Sequence, residues 1–300
     1  MKRRVNYYTD ERNDDFSGME IKREPLPDGY KYIRRGVFIR LLSFVLYRLI
    51  AFPVAWLYCK LRHGVRIRNK KALRSSRGKG IFVYANHTLA AGDAFFPSLV
   101  AFPRRTYIVT GAESVNVRIA GKLTPLLGAL PLPSRIAGHR DFTAALKTRI
   151  SEKACVYIYP EAHIWPYHTG IRDFPDPSFL YPVLSDAPVY AATTVFRRRV
   201  LRRRPKCEVY VDGPFYPDPA LSAAENRSAL RDKVYCAMKE RSRLSDCEYI
   251  RYERADADNA GEGGLRCEKR LTTEDRAVII YQTEDAENGC EASVQRAGES

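Results

Sequence analysis

His87 and Asp93 are separated by the five residues Thr88 to Gly92. A neutral imidazole can take a proton from a hydroxyl near pH 7. A carboxylate on its other ring nitrogen fixes the tautomer and stabilises the imidazolium as it forms. No serine or cysteine nucleophile is obvious beside His87, so the hydroxyl could belong to a substrate. A loop histidine beside a helix-capping aspartate has the same composition, and on the pair alone that plainer reading is preferred, though a capping role does not exclude a catalytic one. A second candidate is Glu161, with His163 two residues on.

The elements around these residues give the pair its meaning. Ile81 to Ala85 is a short apolar run that reads as a buried strand. Asp93 opens an apolar segment to Val100, and aspartate is a preferred N-cap, so a helix is predicted to start there. His87 then lies just past a strand end, where reacting groups of open α/β sheets collect. Ala154 to Tyr159 is a near-continuous apolar run of the kind buried in parallel sheets, and it ends at Pro160-Glu161. A carboxylate directly after a buried strand points to function rather than to a solvated loop. Further strands are predicted at Arg105–Thr110, Pro188–Phe196 and Lys206–Val211. Helices are predicted at Val115–Leu127, closed by Gly128, at Asp141–Lys153, capped by Asp141, and at Ser222–Ser245, where Leu230, Val234 and Met238 share one face. Tyr249–Tyr252 adds a last short pairing. Arg197-Arg198-Arg199 and Arg202-Arg203-Arg204 fall between two strands, so they form a hairpin tip.

The chain carries 50 basic and 35 acidic residues in 300, a formal charge of +15. From Glu253 onward twelve acids meet six bases, which leaves residues 1–252 at +21. So basic a body attracts anions: nucleic acid, anionic lipid or phosphorylated substrates. Seven cysteines are scattered with no C-x-x-C pair, a reducing-compartment pattern that lacks a zinc motif. Residues 1–35 are charged and polar, so no cleavable signal peptide is expected, and they read as a mostly irregular leader. Residues 36–61 are long and apolar enough to cross a bilayer. Arg40 and Arg48 interrupt them, about 80° apart on a helical wheel, and Pro53 is expected to kink them. An interfacial or re-entrant helical hairpin fits these features, with Tyr47, Trp56 and Tyr58 as interfacial aromatics. The organisation predicted is a leader (1–35), a membrane-associated helical segment (36–62), a catalytic domain (63–252) and a disordered acidic tail (253–300).

Four blocks between about residues 80 and 215 resemble, in order, the motifs of the glycerolipid acyltransferases, the family of 1-acylglycerol-3-phosphate acyltransferase. Asn86-His87…Asp93 resembles the first motif, with one residue more than the family's His-to-Asp spacing. Gly92 is expected to absorb that extra residue through its backbone freedom. Gly128 to Arg135 resembles the second, and Arg140 competes with Arg135 for the role of its terminal arginine. Tyr159-Pro160-Glu161 matches the first half of the third. Ala162, His163 and Ile164 replace that motif's Gly-Thr-Arg, leaving Arg172 or His163 to substitute for its arginine. Pro188 to Phe196 resembles the fourth.

The resemblance implies an α/β fold: a mixed, largely parallel sheet flanked by helices, with the N-terminal membrane-associated segment added. It implies acyl transfer from a thioester, acyl-CoA or acyl-ACP as co-substrate, to a lysophospholipid hydroxyl. His87 would be the general base and Asp93 its orienting partner. Glu161 and an arginine would hold the acceptor. No metal or further cofactor is implied, since a thiolate is already a good leaving group. The partners expected are an anionic membrane surface and these substrates, not nucleic acid, at the cytoplasmic face of the cell membrane. Two other classes stay open: a metal-dependent hydrolase using His87, Asp93, Glu161 and His163 as ligands, and a non-catalytic basic protein binding membrane or nucleic acid.

Overall fold

The computed structural model describes residues 4–18, 25–27, 29–34, 36–116 and 120–255. In chain order they form β1 (Arg4–Tyr8), α1 (Val37–His63), β2 (Arg66–Arg68), β3 (Ile81–Ala85), α2 (Gly92–Ala101), β4 (Thr106–Thr110), α3 (Ala120–Leu127), β5 (Ala129–Pro131), α4 (His139–Ser151), β6 (Cys155–Ile158), β7 (Val189–Arg197), β8 (Lys206–Phe215), α5 (Ala223–Ser242) and β9 (Ile250–Arg254). Seven strands make one sheet in the order β2-β8-β7-β3-β6-β4-β5, parallel throughout except for the β7–β8 hairpin.

The sheet is mixed and mostly parallel because its central strands are apolar on both faces. In β3, Ile81, Val83 and Ala85 join Phe96 and Leu99 of α2 and Ala55 and Cys59 of α1. Phe82 and Tyr84 point the other way, into a second cluster with Phe142 and Leu146 of α4 and Leu230, Val234 and Met238 of α5. Helices therefore cover both faces. Ser222 begins α5 with a reciprocal capping box to Glu225. Gly128 closes α3 at φ 105, where an added Cβ would come 2.4 Å from the Thr106 carbonyl oxygen.

Several elements differ from the sequence expectation. Residues 36–62 do not form a hairpin. α1 runs unbroken for 27 residues, long and apolar enough by length and composition to cross a membrane. Pro53 stays inside it because a π-type turn over Val45–Ala51 takes up the mismatch just before the missing N–H. One face of α1 docks on the body. Ser43 donates to the Leu126 carbonyl at 2.7 Å, Thr106 N donates to the Tyr47 hydroxyl at 3.2 Å, and Phe52 stacks on Phe102. The other face, including Leu41, Leu49, Val54 and Leu61, is exposed. Tyr58 meets Phe95 and His63 meets Phe96, so α1 lies antiparallel on α2.

The leader is not irregular throughout, since β1 pairs in parallel with β9. Phe16 N donates to the Ile164 carbonyl at 3.0 Å, and Trp165 Nε1 donates to the Asp14 carbonyl at 2.7 Å. Neither predicted aspartate cap caps its helix. α2 starts at Gly92 with Ala91 as N-cap, and α4 starts at His139 with Gly138 as N-cap. Asp93 and Asp141 lie in the first turns. Of the expected helix over Val115–Leu127 the described residues give Glu113–Asn116 and α3, both helical, with 117–119 outside them. The expected disordered tail from 256 onward also lies outside them.

Candidate active site

β3 and β6 are parallel neighbours, so the loops after Ala85 and Ile158 leave the same edge of the sheet. That places His87 beside Tyr159 and Glu161. Asn86 extends β3 with its side chain: Thr194 N donates to Asn86 Oδ1 at 2.8 Å, and Asn86 Nδ2 donates to the Thr194 carbonyl at 3.1 Å. These two hydrogen bonds to β7 fix the backbone one residue before His87.

The His87 Nδ1 to Asp93 Oδ2 distance is 2.7 Å. The same oxygen accepts the backbone N–H groups of Thr88 and Leu89, each at 2.8 Å. Three donors thus converge on one buried carboxylate oxygen and fix it in place. The His87 ring stacks on Tyr159 with centroids 4.4 Å apart. Burial raises the Tyr159 hydroxyl well above its ordinary value, and that hydroxyl donates to the Asp93 carbonyl at 2.6 Å. With Nδ1 committed to Asp93, Nε2 is the ring nitrogen left to exchange a proton. Among the described residues, no serine, threonine or cysteine side chain bonds to His87. Burial raises the thiols of Cys59, Cys155 and Cys207, which holds them protonated.

Gly92 does not absorb the longer loop by an unusual backbone angle. Its φ lies outside the left-handed region, and glycine is needed because an added Cβ would stand 2.9 Å from Leu89 Cβ. The Asp93 N–H donates to the Leu89 carbonyl at 2.8 Å, so the extra residue is taken up in a tight turn before the helix.

Glu161 is buried and faces inward. Its Oε2 accepts His87 N at 2.9 Å and Arg172 Nη2 at 3.3 Å, and its Oε1 accepts Arg172 N at 3.0 Å. Arg172 is 1% exposed, and its guanidinium also donates to the carbonyls of His163 and Glu11. Glu161 and Arg172 are therefore a buried ion pair that ties the two site loops together, not the acceptor contacts expected from the sequence. His163 also faces the leader, its Nδ1 lying 3.3 Å from Asp15 Oδ2. Arg135 and Arg140 are exposed, beyond the end of β5. β5 is three strands from β3 in the sheet order, or about 14 Å at the usual strand spacing. Arg135 lines a separate cavity of about 170 Å³ with Leu26, Tyr30, Tyr32 and Asp141.

The four side chains considered as metal ligands do not converge. Asp93 faces His87, Glu161 faces Arg172, and His163 faces Asp15. Among the described residues no three His, Cys, Asp or Glu side chains are grouped to hold a metal ion. Tyr159 was legible only as the aromatic of its motif, and nothing in the sequence marked its stacking on His87. Ala162 takes φ 61, a left-handed conformation where the resembling motif has glycine, so the turn survives at some strain.

No protein-family model matches the sequence, and no curated protein matches it. Among solved structures, a 1-acyl-sn-glycerophosphate (LPA) acyltransferase, PlsC, from Thermotoga maritima is similar, with 15% identity, a TM-score of 0.47, and coverage of 68% of this chain and 86% of that chain.

The loop held by Arg172 should be acid-sensitive. Burial, helped by the Arg172 charge, lowers His168 from 6.5 to about 4. As pH falls below 6.5 the unfolded chain takes up this proton and the folded protein does not until about 4, so stability is lost across that window. The expected loss between pH 7 and pH 5 is about 1–2 kcal/mol from this residue. Denaturant midpoints measured across the window should flatten by that amount in His168→Gln. The difference between the two profiles isolates His168 from His63, whose value burial also lowers to about 4, and from His139, which burial lowers too, and identical profiles would refute the assignment.

Proposed function

We propose that this chain is an acyltransferase that moves a fatty acyl group from an acyl thioester, on coenzyme A or acyl carrier protein, to a hydroxyl of a glycerol phosphate acceptor such as 1-acylglycerol-3-phosphate. The observation that carries this is the His87–Asp93 pair, held at 2.7 Å at a strand end with no nucleophile of the described residues bonded to it. Such a pair activates a hydroxyl brought by the substrate. His87 Nε2 takes the acceptor's proton as its oxygen attacks the thioester carbonyl. The C–S bond then breaks, and the thiolate leaves with the proton returned from the imidazolium. Asp93 orients the ring and stabilises its charge while the proton is held. The Asn-His…Asp and Tyr-Pro-Glu resemblance supports the same reading.

The exposed face of α1 supports an acceptor embedded in a membrane, because α1 packs on α2, the helix that begins at the site. Incubation of the full chain with an acyl thioester and lysophosphatidic acid tests the reaction. Free thiol and a diacyl product should appear together, and thiol release without the diacyl product would indicate a hydrolase.

Attachment through α1 has its own test. Deleting the segment would also remove Tyr47, Ala55 and Cys59 from the body, so substitution is cleaner. Leu41, Leu49, Val54 and Leu61 are outward-facing. At about 1.5–3 kcal/mol for each such side chain transferred from water, changing all four to Gln should weaken binding to phosphatidylcholine vesicles at least about a hundredfold, and unchanged co-sedimentation would refute the attachment.

A further inference from the structure

The hairpin tip between β7 and β8 presents a pattern that acyl transfer does not explain. Val200 is 100% exposed and Leu201 is 95% exposed. Three arginines precede them and three follow. Arg197 is paired with carboxylates, Asp246 at 3.3 Å and Glu208 at 3.7 Å. Arg199 Nη2 and Arg204 Nη1 are shielded from solvent and have no hydrogen-bond acceptor. Buried guanidinium donors without an acceptor are costly, and an anion would satisfy them.

The position of the tip names the anion. β7 is parallel to β3, and Ala192 pairs with Ala85. β7 then continues through Arg197, so the tip projects from the sheet edge that carries His87. It also abuts the end of α1: Arg202 Nη1 donates to the Leu61 carbonyl at 3.2 Å, and a Cβ on Gly64 would come 2.5 Å from Arg199 Nη2. The outward apolar face of α1 and the Val200-Leu201 tip therefore run on from one another.

We infer that the Arg197–Arg204 tip is a second membrane-insertion element, with Val200 and Leu201 entering the acyl region and the arginines around them binding the phosphates of anionic lipid. Two bare aliphatic side chains inside an arginine collar suit a bilayer, which offers hydrocarbon just beneath phosphate. A nucleic-acid backbone offers nothing to them. With α1 they give two separated attachments, which fix the rotation of the catalytic edge over the lipid. The inference rests on the membrane reading of α1.

The test uses the full chain with vesicles of phosphatidylcholine alone and of phosphatidylcholine mixed with phosphatidylglycerol. Each arginine near an anionic surface is worth about fivefold in binding, so Arg198, Arg199, Arg202 and Arg203 changed together to Gln should weaken binding to mixed vesicles by about two to three orders of magnitude. Binding to neutral vesicles should fall by much less. In Leu201→Trp, emission in excess of wild type should be quenched by brominated lipid in mixed vesicles. Equal losses on both vesicle types, or an unquenched tryptophan, would overturn the inference. Neutral-vesicle binding by wild type with no quenching would leave α1 standing and remove the tip alone. Wild type that binds neither vesicle would remove both. Binding to duplex DNA that is lost in the four-Gln variant, with no quenching, would overturn the inference in favour of nucleic acid.

Discussion

His87→Ala is expected to lower acyl transfer by at least about 10²–10⁴-fold, the contribution of a positioned general base, while leaving the unfolding midpoint nearly unchanged. Among the described residues the side chain makes one hydrogen bond, to Asp93, and one ring stack, on Tyr159. After its removal Asp93 Oδ2 still accepts the N–H groups of Thr88 and Leu89, so no buried carboxylate is orphaned. Thiol release and diacyl product, measured on the folded variant, should fall together. Near-wild-type turnover would refute the mechanism. Loss of product with retained thiol release would mean that water replaces the acceptor hydroxyl and that His87 acts in acceptor binding.

Arg172→Met is expected to destabilise the protein by about 3–5 kcal/mol, because it leaves a buried carboxylate without its counter-charge. Both side chains of the Arg172–Glu161 pair are 1% exposed, so water cannot take over from the guanidinium. The same substitution removes the donors to the His163 and Glu11 carbonyls, while Phe16 N and Trp165 Nε1 still hold the leader to the loop. Urea unfolding of the full chain measures the loss. Glu161→Gln added to Arg172→Met should restore part of it, since the isolated charge is gone and the amide oxygen keeps one of the two backbone N–H bonds, while its NH2 faces the other donor. If Arg172 instead held the substrate's phosphate, Arg172→Met would raise KM with stability intact, and that result would overturn the structural role given to it here.

The parts of the fold that could be read from the sequence are those whose burial leaves a one-dimensional trace. Ile81–Ala85 and Cys155–Ile158 are buried on both faces and so appear as unbroken apolar runs. The α5 stripe of Leu230, Val234 and Met238 is the trace of one buried helical face. β1 left no such trace, because Arg4–Tyr8 becomes a strand only through pairing with residues near the other end of the described chain. Pro53 was misleading because a π-type turn is a property of backbone geometry that composition does not announce. The spacing of His87 and Asp93 showed that they could meet. It did not show that Asp93 would lie inside the helix rather than cap it, nor that Glu161 and Arg172 would be consumed by each other. Both outcomes depend on loops folding back, which periodicity cannot express.

The parallel pairing of β1 with β9 orders events during synthesis. About 190 residues separate the end of α1 from the end of β9, and at about 5–20 residues per second the ribosome needs roughly 10–40 s to traverse them. Throughout that interval the leader that clasps the Arg172 loop has no strand to join. The inner face of α1 likewise has no body to dock on until β4 has emerged. On the membrane reading, a nascent chain meets lipid with an apolar helix bare on all sides and a catalytic edge not yet assembled. Anchoring then precedes competence, and β9 acts as the latch that completes the site on the membrane where it will work.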